Sequence, residues 1–322
     1  MDFAGRRSRW YIIGAVLAAG LVVGLIALFA RTSTHSSKIE IAIFDIFRVR
    51  NTSYKPANES LRVFLREAKE IRVETKRSDI HIELVSDADS SEMGTDPAIS
   101  GGAGFGLFQV QGDLPISQSG KHLSMIRNGG DVDLGVFDLK AGDSEDFLIG
   151  DREAPQVTLK IPADFVGRLK IKTTSGDISI EDLKIENLES RSVSGDLEIG
   201  AVKIHELDFK SVSGSLTGVV SLSSLKCETV SGDIDLDLPE SGERFSKGEV
   251  KNVSGVTLLR LPSTSDMTVT AKSISGVIDS EWPEIQMQTP ASGNEAKGTI
   301  GSGAAHLDVK SESGEISFGK TL

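Results

Sequence analysis

The chain is poor in cysteine, in aromatic residues and in basic charge. Cys227 is its one cysteine in 322 residues, so no intramolecular disulfide can staple the fold. Aromatics make up 5% of the chain, which leaves few of the ring faces that sugar sites usually present. Lysine and arginine number 35 against 47 acidic residues, a net charge of −12. That deficit excludes nucleic acid as a partner, because nucleic-acid binding depends on neutralising phosphates with cations. It also argues against general adhesion of the body of the chain to anionic lipid. Long apolar runs are absent with one exception. Glycine is plentiful at 33 residues, and with so few aromatics this suits a turn-rich all-β protein packed with aliphatic side chains.

The usual signatures of catalysis are also missing. His35, His81, His122, His205 and His306 are scattered, and none stands at metal-ligand spacing from a cysteine or carboxylate. No G-x-S-x-G elbow or Walker loop occurs. The run GGAGFG at 101–106 lacks the G-x-G-x-x-G spacing and reads as a loop. A repeated Ser-Gly-Asp invites a calcium reading, but one aspartate per repeat supplies too few oxygens for a six- to eight-coordinate ion. The sequence therefore indicates a non-enzyme, with no catalytic, cofactor-binding or metal residues. Clustered carboxylates of the kind that cleave polysaccharide are not seen either.

The one long apolar run is residues 11–30, YIIGAVLAAGLVVGLIALFA, which carries no charge. At ~1.5 Å per residue a helix of this length spans the ~30 Å hydrocarbon core. Arg6, Arg7 and Arg9 precede it and only Arg31 follows closely. The positive-inside bias puts the N-terminus in the cytoplasm and residues 31–322 outside. A cleaved signal peptide is the rival, but the run is long for one and ends in Leu28-Phe29-Ala30 rather than in small residues. The expectation is a single-pass anchor, and an extracytoplasmic domain without disulfides points to a bacterial envelope. Gly20 and Gly24 form a G-x-x-x-G suited to self-association of two anchors, although small residues are ordinary in membrane helices.

The organisation expected is a cytoplasmic tail at 1–10, the transmembrane helix at 11–30, a juxtamembrane linker and strand at 31–60 and a repeat domain at 61–322. Within it, 39–49 reads as a strand. Residues 86–106 and 140–155 read as loops, and Pro162 breaks the strand VTLKIPADF. From Leu169 a repeat dominates. Ser-Gly pairs stand at 175, 194, 213, 231, 254, 275 and 313, spaced by 19, 19, 18, 23, 21 and 38 residues, the last about two periods. A period near 20 between strand-like flanks indicates a β-solenoid, each turn of chain stacked on the previous one.

Alignment on the serine gives columns. Four before it stand Ile171, Ser190, Phe209, Cys227, Val250, Ala271 and Val309, and three after it Ile178, Leu197, Leu216, Ile234, Thr257, Ile278 and Ile316. Both are expected to point inward. Two before it stand small polar residues from Thr173 to Ser311, expected to share the inner face and to form a hydroxyl ladder. The opposite parity is charged, with Lys172, Arg191 and Lys210 three before the serine and Asp177, Asp196 and Asp233 two after it. The glycine is expected to supply a positive φ at the corner. An earlier segment, IRVETKRSDIHIEL at 71–84, fits the same columns with Ser78 in the place of glycine, so the solenoid is expected to start near residue 61.

TTSGDISI (173–180), SVSGDLEI (192–199), TVSGDIDL (229–236) and SESGEISF (311–318) together resemble the DUF4097 family, also known as toastrack β-strand-repeat proteins. The likeness extends over about residues 61–322. It implies a bacterial membrane or envelope protein linked to envelope signalling or surface adhesion, and it supplies no catalytic residues.

A surface for a partner is sought in two columns. Lys172, Arg191 and Lys210 form a basic stripe, and Val193, Val212 and Val230 stand just before the serines. Strict alternation turns these valines outward as a docking surface, whereas a bend at Ser-Gly rotates them into the core. The function expected is a membrane-anchored, non-catalytic interaction module binding another envelope protein. The alternative is a cell-surface adhesin or structural protein contacting polysaccharide or other cells.

Overall fold

The computed structural model describes residues 54–65, 67–75, 77–85, 105–115, 123–128, 131–136, 155–240, 244–288, 290 and 293–321. The apolar run, the linker, the 39–49 segment and most of both predicted loops lie outside them. The first loop reading ran too far, because Phe105 and Gly106 open the strand Phe105–Pro115. Regular structure among the described residues is all strand, and no helix there is long and apolar enough to cross a membrane.

Each repeat makes one rung of two strands joined at the Ser-Gly corner. The strand before the corner pairs in parallel with its equivalent one repeat on, as in Leu188↔Leu207↔Leu225. The strand after the corner does the same, as in Ile178↔Leu197↔Leu216↔Ile234. Two ladders result, each with its apolar parity turned toward the other. The inward columns are almost completely buried: Ile171, Phe209, Cys227 and Val250 on one side, Leu197, Leu216, Ile234 and Ile316 on the other. Large and small side chains alternate where the column requires it. Phe209 lies in register between Ser190 and Cys227, and their small volumes leave room for its ring.

The expectation that every turn stacks on the turn before it holds from 168 to 261 and fails toward both ends. The last repeat, Ala305–Ser311 and Glu315–Lys320, is inserted between the rung of 247–261 and that of 267–280. The 38-residue spacing is therefore not two successive periods. It contains the strand Asn294–Ile300, which folds back antiparallel on Met267–Ser273 and carries Ile285–Gln288 on its far side. Near the N-terminal end, the rung of Glu70–Glu74 and Asp79–Leu84 sits between the rung of 168–181 and one built from Asp131–Val136 and Gln156–Ile161. Antiparallel strands cover that outer rung, with Leu123–Asn128 on one ladder and Phe105–Pro115, then Tyr54–Phe64, on the other. The sequence columns assigned to 71–84 are met: Val73 pairs with Ile171 and Ile80 with Ile178.

Candidate interaction surface

The Ser-Gly corner is built by side chains that satisfy its backbone. The small polar residue two before the serine is buried, and its hydroxyl accepts the glycine N–H. The distances are 3.0 Å from Gly176 to Thr173, 2.7 Å from Gly195 to Ser192 and 2.8 Å from Gly214 to Ser211. Gly232, Gly276 and Gly314 repeat the bond with Thr229, Ser273 and Ser311. The expected hydroxyl ladder is thus mainly a set of turn caps within each rung. The serine itself bonds backward: Ser213 Oγ donates to the Val193 carbonyl and Ser231 Oγ to that of Val212, both at 3.3 Å.

The glycine has a different reason from the one expected. Among the corner glycines only Gly255 has a positive φ, of 121°. What the others need is room. A Cβ on Gly195 would lie 1.9 Å from the Gly176 carbonyl oxygen, and one on Gly214 would lie 2.0 Å from that of Gly195. Ser78 escapes this limit because its neighbour on the outer side is Pro155, whose carbonyl accepts the Asp79 N–H, and no Ser-Gly corner stands there.

Two residues after the serine, the aspartates cross-link successive rungs. Asp79 Oδ1 accepts the Asp177 N–H at 3.0 Å, Asp177 Oδ1 that of Asp196 at 2.9 Å and Asp196 Oδ1 that of Ser215 at 2.7 Å. Ser215 Oγ and Asp233 Oδ1 continue the series to Asp233 and Val256. Asp79, Asp177, Asp196 and Ser215 border a shallow groove, also lined by His81, Ser179, Glu198 and Thr217.

The register brings Lys172, Arg191 and Lys210 side by side on adjacent rungs. They do not stand as free cations. Lys172 Nζ is 3.1 Å from Glu74, Lys210 Nζ is 2.9 Å from Glu228, and Arg191 makes a bidentate pair with Asp208 at 2.9 and 3.0 Å. Glu249 and Lys251 extend this ionic face. Burial alone would raise the Asp208 pKa, but the Arg191 guanidinium, with Lys210 and Lys226, outweighs it and holds the carboxyl below its usual range. A hydrogen bond from Lys251 lowers Glu249 likewise.

Val193, Val212 and Val230 also stack, one per rung, at the corner itself. They are half-buried, neither outward nor core, and their carbonyls accept backbone N–H groups of the next rung, the Val193 carbonyl that of Ser213 and the Val212 carbonyl that of Ser231. Val253 continues the ridge and is buried. The basic trio and the valine trio are separated by the buried hydroxyl column, so they form two neighbouring surfaces. Cys227 is fully buried, and burial pushes its thiol well above the ordinary value. Glu312 and Glu315 fall in the repeat's columns, just before the last serine and two after it, but the pattern does not show their neighbours. The inserted last rung places them beside Ile274 and Val277, and the anomalous 38-residue spacing was the only signal of it.

The family model Toastrack DUF4097 matches residues 111–237 and 219–318, more than half of the sequence. The chain belongs to the Toastrack DUF4097 family. Among solved structures it is similar to a "putative adhesin" from Bacteroides fragilis, with 14% identity, 81% of this chain and 97% of that one covered, and a TM-score of 0.44. It is also similar to a "putative lipid binding protein" from Parabacteroides distasonis, with 12% identity, 81% and 96% covered, and a TM-score of 0.41. A "putative cell adhesion protein" from Clostridium sporogenes gives 9% identity, 83% and 100% covered, and 0.34. No curated protein matches the sequence.

Proposed function

We propose that the chain is a membrane-anchored, non-catalytic interaction module. In this reading the helix at 11–30 holds a β-solenoid at the outer membrane face, where the solenoid binds another envelope protein. The observation that carries it is the corner ridge of Val193, Val212 and Val230. Half-buried β-branched side chains recur there at the rung spacing of about 4.8 Å, beside a face whose charges are already paired. A stiff ridge with little conformational entropy left to lose is a favourable docking surface. The short polar linker RTSTHSSK at 31–38 supports a membrane-proximal partner over a distant one.

The test is in-cell crosslinking from a photoreactive residue at Val212, with a second probe at Lys210, and protease protection of residues 31–322 to check topology. A single stoichiometric protein partner is the expected result. Crosslinks to envelope polymer alone would replace this reading with that of a surface-structural adhesin. Protection consistent with a cytoplasmic 31–322 would overturn it altogether.

A further inference from the structure

The column two after the serine changes character at one end of the stack. From Asp79 to Asp233 it holds acceptors that cap the next rung. Beyond them, in spatial order, come Val256, Glu315 and Val277. A valine there caps nothing and covers no core: Val256 is 42% and Val277 64% exposed. Ile274, on the same corner, is 66% exposed. Val256 and Val277 thus put aliphatic side chains into water at positions where the fold's own repeat uses aspartate, and Ile274, in the valine column just before the serine, is exposed where Val193, Val212 and Val230 are half-buried. A sequence that breaks its local rule without structural return does so at functional sites.

The inserted rung adds charge to this corner. Glu315 lies in register between Val256 and Val277. Glu312 lies beside Ile274, with its carbonyl accepting the Ser275 N–H. Asp279, on the strand Ile278–Ser280, follows two residues after Val277. All three acids are exposed and none forms an ion pair with a described residue. The acids of the other ladder's outer face, by contrast, are held by Arg191, Lys210, Lys251 and Lys272.

We infer that this corner, Val256, Ile274, Val277, Glu312, Glu315 and Asp279, docks an extended segment of a partner protein that carries aliphatic residues three apart with basic residues between and around them. The inference rests on the interaction-module reading and names the chemistry of the partner. Val256 and Val277 are two rungs apart, about 10 Å, which a chain in the polyproline II conformation matches, because at three residues per turn and ~3.1 Å per residue it carries aliphatic side chains three apart on one face. Lysine or arginine between and around them would face the unpaired carboxylates.

The probe is a short peptide with two valines separated by two lysines and flanked by lysines, against the same peptide with glutamates for lysines. The full-length chain is held in lipid nanodiscs, and binding is read by anisotropy and by methyl NMR. The basic peptide is expected to bind and to shift the methyls of Val256, Ile274 and Val277. Binding should weaken about tenfold in Glu312→Gln/Glu315→Gln and vanish at high salt. Val256→Asp and Val277→Asp install the repeat's own residue, so they keep the fold, checked by unchanged thermal midpoint, while removing the aliphatic contact. Equal binding of the acidic peptide, methyl shifts elsewhere, or binding unaffected by Val277→Asp would overturn the proposal. In cells, a photoreactive residue at Ile274 is compared with one at Val212. Capture of a partner at Val212 but not at Ile274 leaves the interaction module standing and removes this surface. A crosslink from Ile274 to a second copy of the chain makes the corner a self-association face and overturns the basic-segment assignment.

Discussion

The Asp177 carboxylate accepts the backbone N–H of Asp196 at 2.9 Å, one rung further along the stack. The acidic residue of the repeat is thereby tied to the strand that follows its neighbour's corner, a role that needs only one good acceptor. Asp196→Ala should cost about 1 kcal/mol, the usual net worth of such a bond, and Asp196→Asn should retain most of it. Urea midpoints of the two variants check this, and equal losses would contradict the bond.

The glycines offer a matched pair. Gly195→Ala drives a Cβ to 1.9 Å from a backbone oxygen, which must separate two rungs and should cost more than about 3 kcal/mol. Gly200→Ala meets its nearest atom, Glu181 Cγ, at 3.5 Å and should be tolerated within about 1 kcal/mol. Thermal midpoints distinguish the two. If both were equally harmful, flexibility rather than space would be the reason for glycine.

At the opposite corner Ala201 holds a left-handed backbone with φ of 50°. That conformation costs a side chain about 1–2 kcal/mol that glycine does not incur. Ala201→Gly is therefore expected to raise the thermal midpoint despite removing a methyl group.

Asp208 and Glu249 have folded-state pKa values lowered below the usual carboxylate range. The unfolded chain then binds protons more readily as pH falls through about 4, so these groups stabilise fully above that range and lose their contribution below it. Denaturant midpoints measured from neutral pH to pH 3 should fall on the acid side. Asp208→Asn should flatten that slope, and an unchanged slope would remove Asp208 from the account.

The columns were legible in the sequence because stacking equivalent positions imposes one burial class on each. Ile171, Phe209 and Cys227 could be assigned to the core from spacing alone, as could the first rung with its Ser78. The rung order was not legible. Any two repeats share the same columns, so nothing local says that Val250 pairs with Val309 rather than Ala271. The glycine's role was misread because close approach and positive φ leave the same residue in the sequence. The basic stripe at Lys172, Arg191 and Lys210 was placed correctly, but its neutralisation comes from partners such as Asp208 and Glu74 in other columns or another rung.

The insertion of Ala305–Ser311 between Lys247–Asn252 and Met267–Ser273 also sets an order of events in synthesis. The segment 267–280 leaves the ribosome before its native neighbour exists. Until residue 320 is made, the parallel template on offer is the rung of 247–261, whose edge offers the same columns in a wrong pairing, while Asn294–Ile300 can already pair antiparallel with Met267–Ser273. A chain stopped before residue 305 would lack the parallel partner of Met267–Ser273 and keep only the antiparallel one, Asn294–Ile300. Residues 305–320 form an interior turn of the stack, so drawing them out must part the sheet rather than peel its edge.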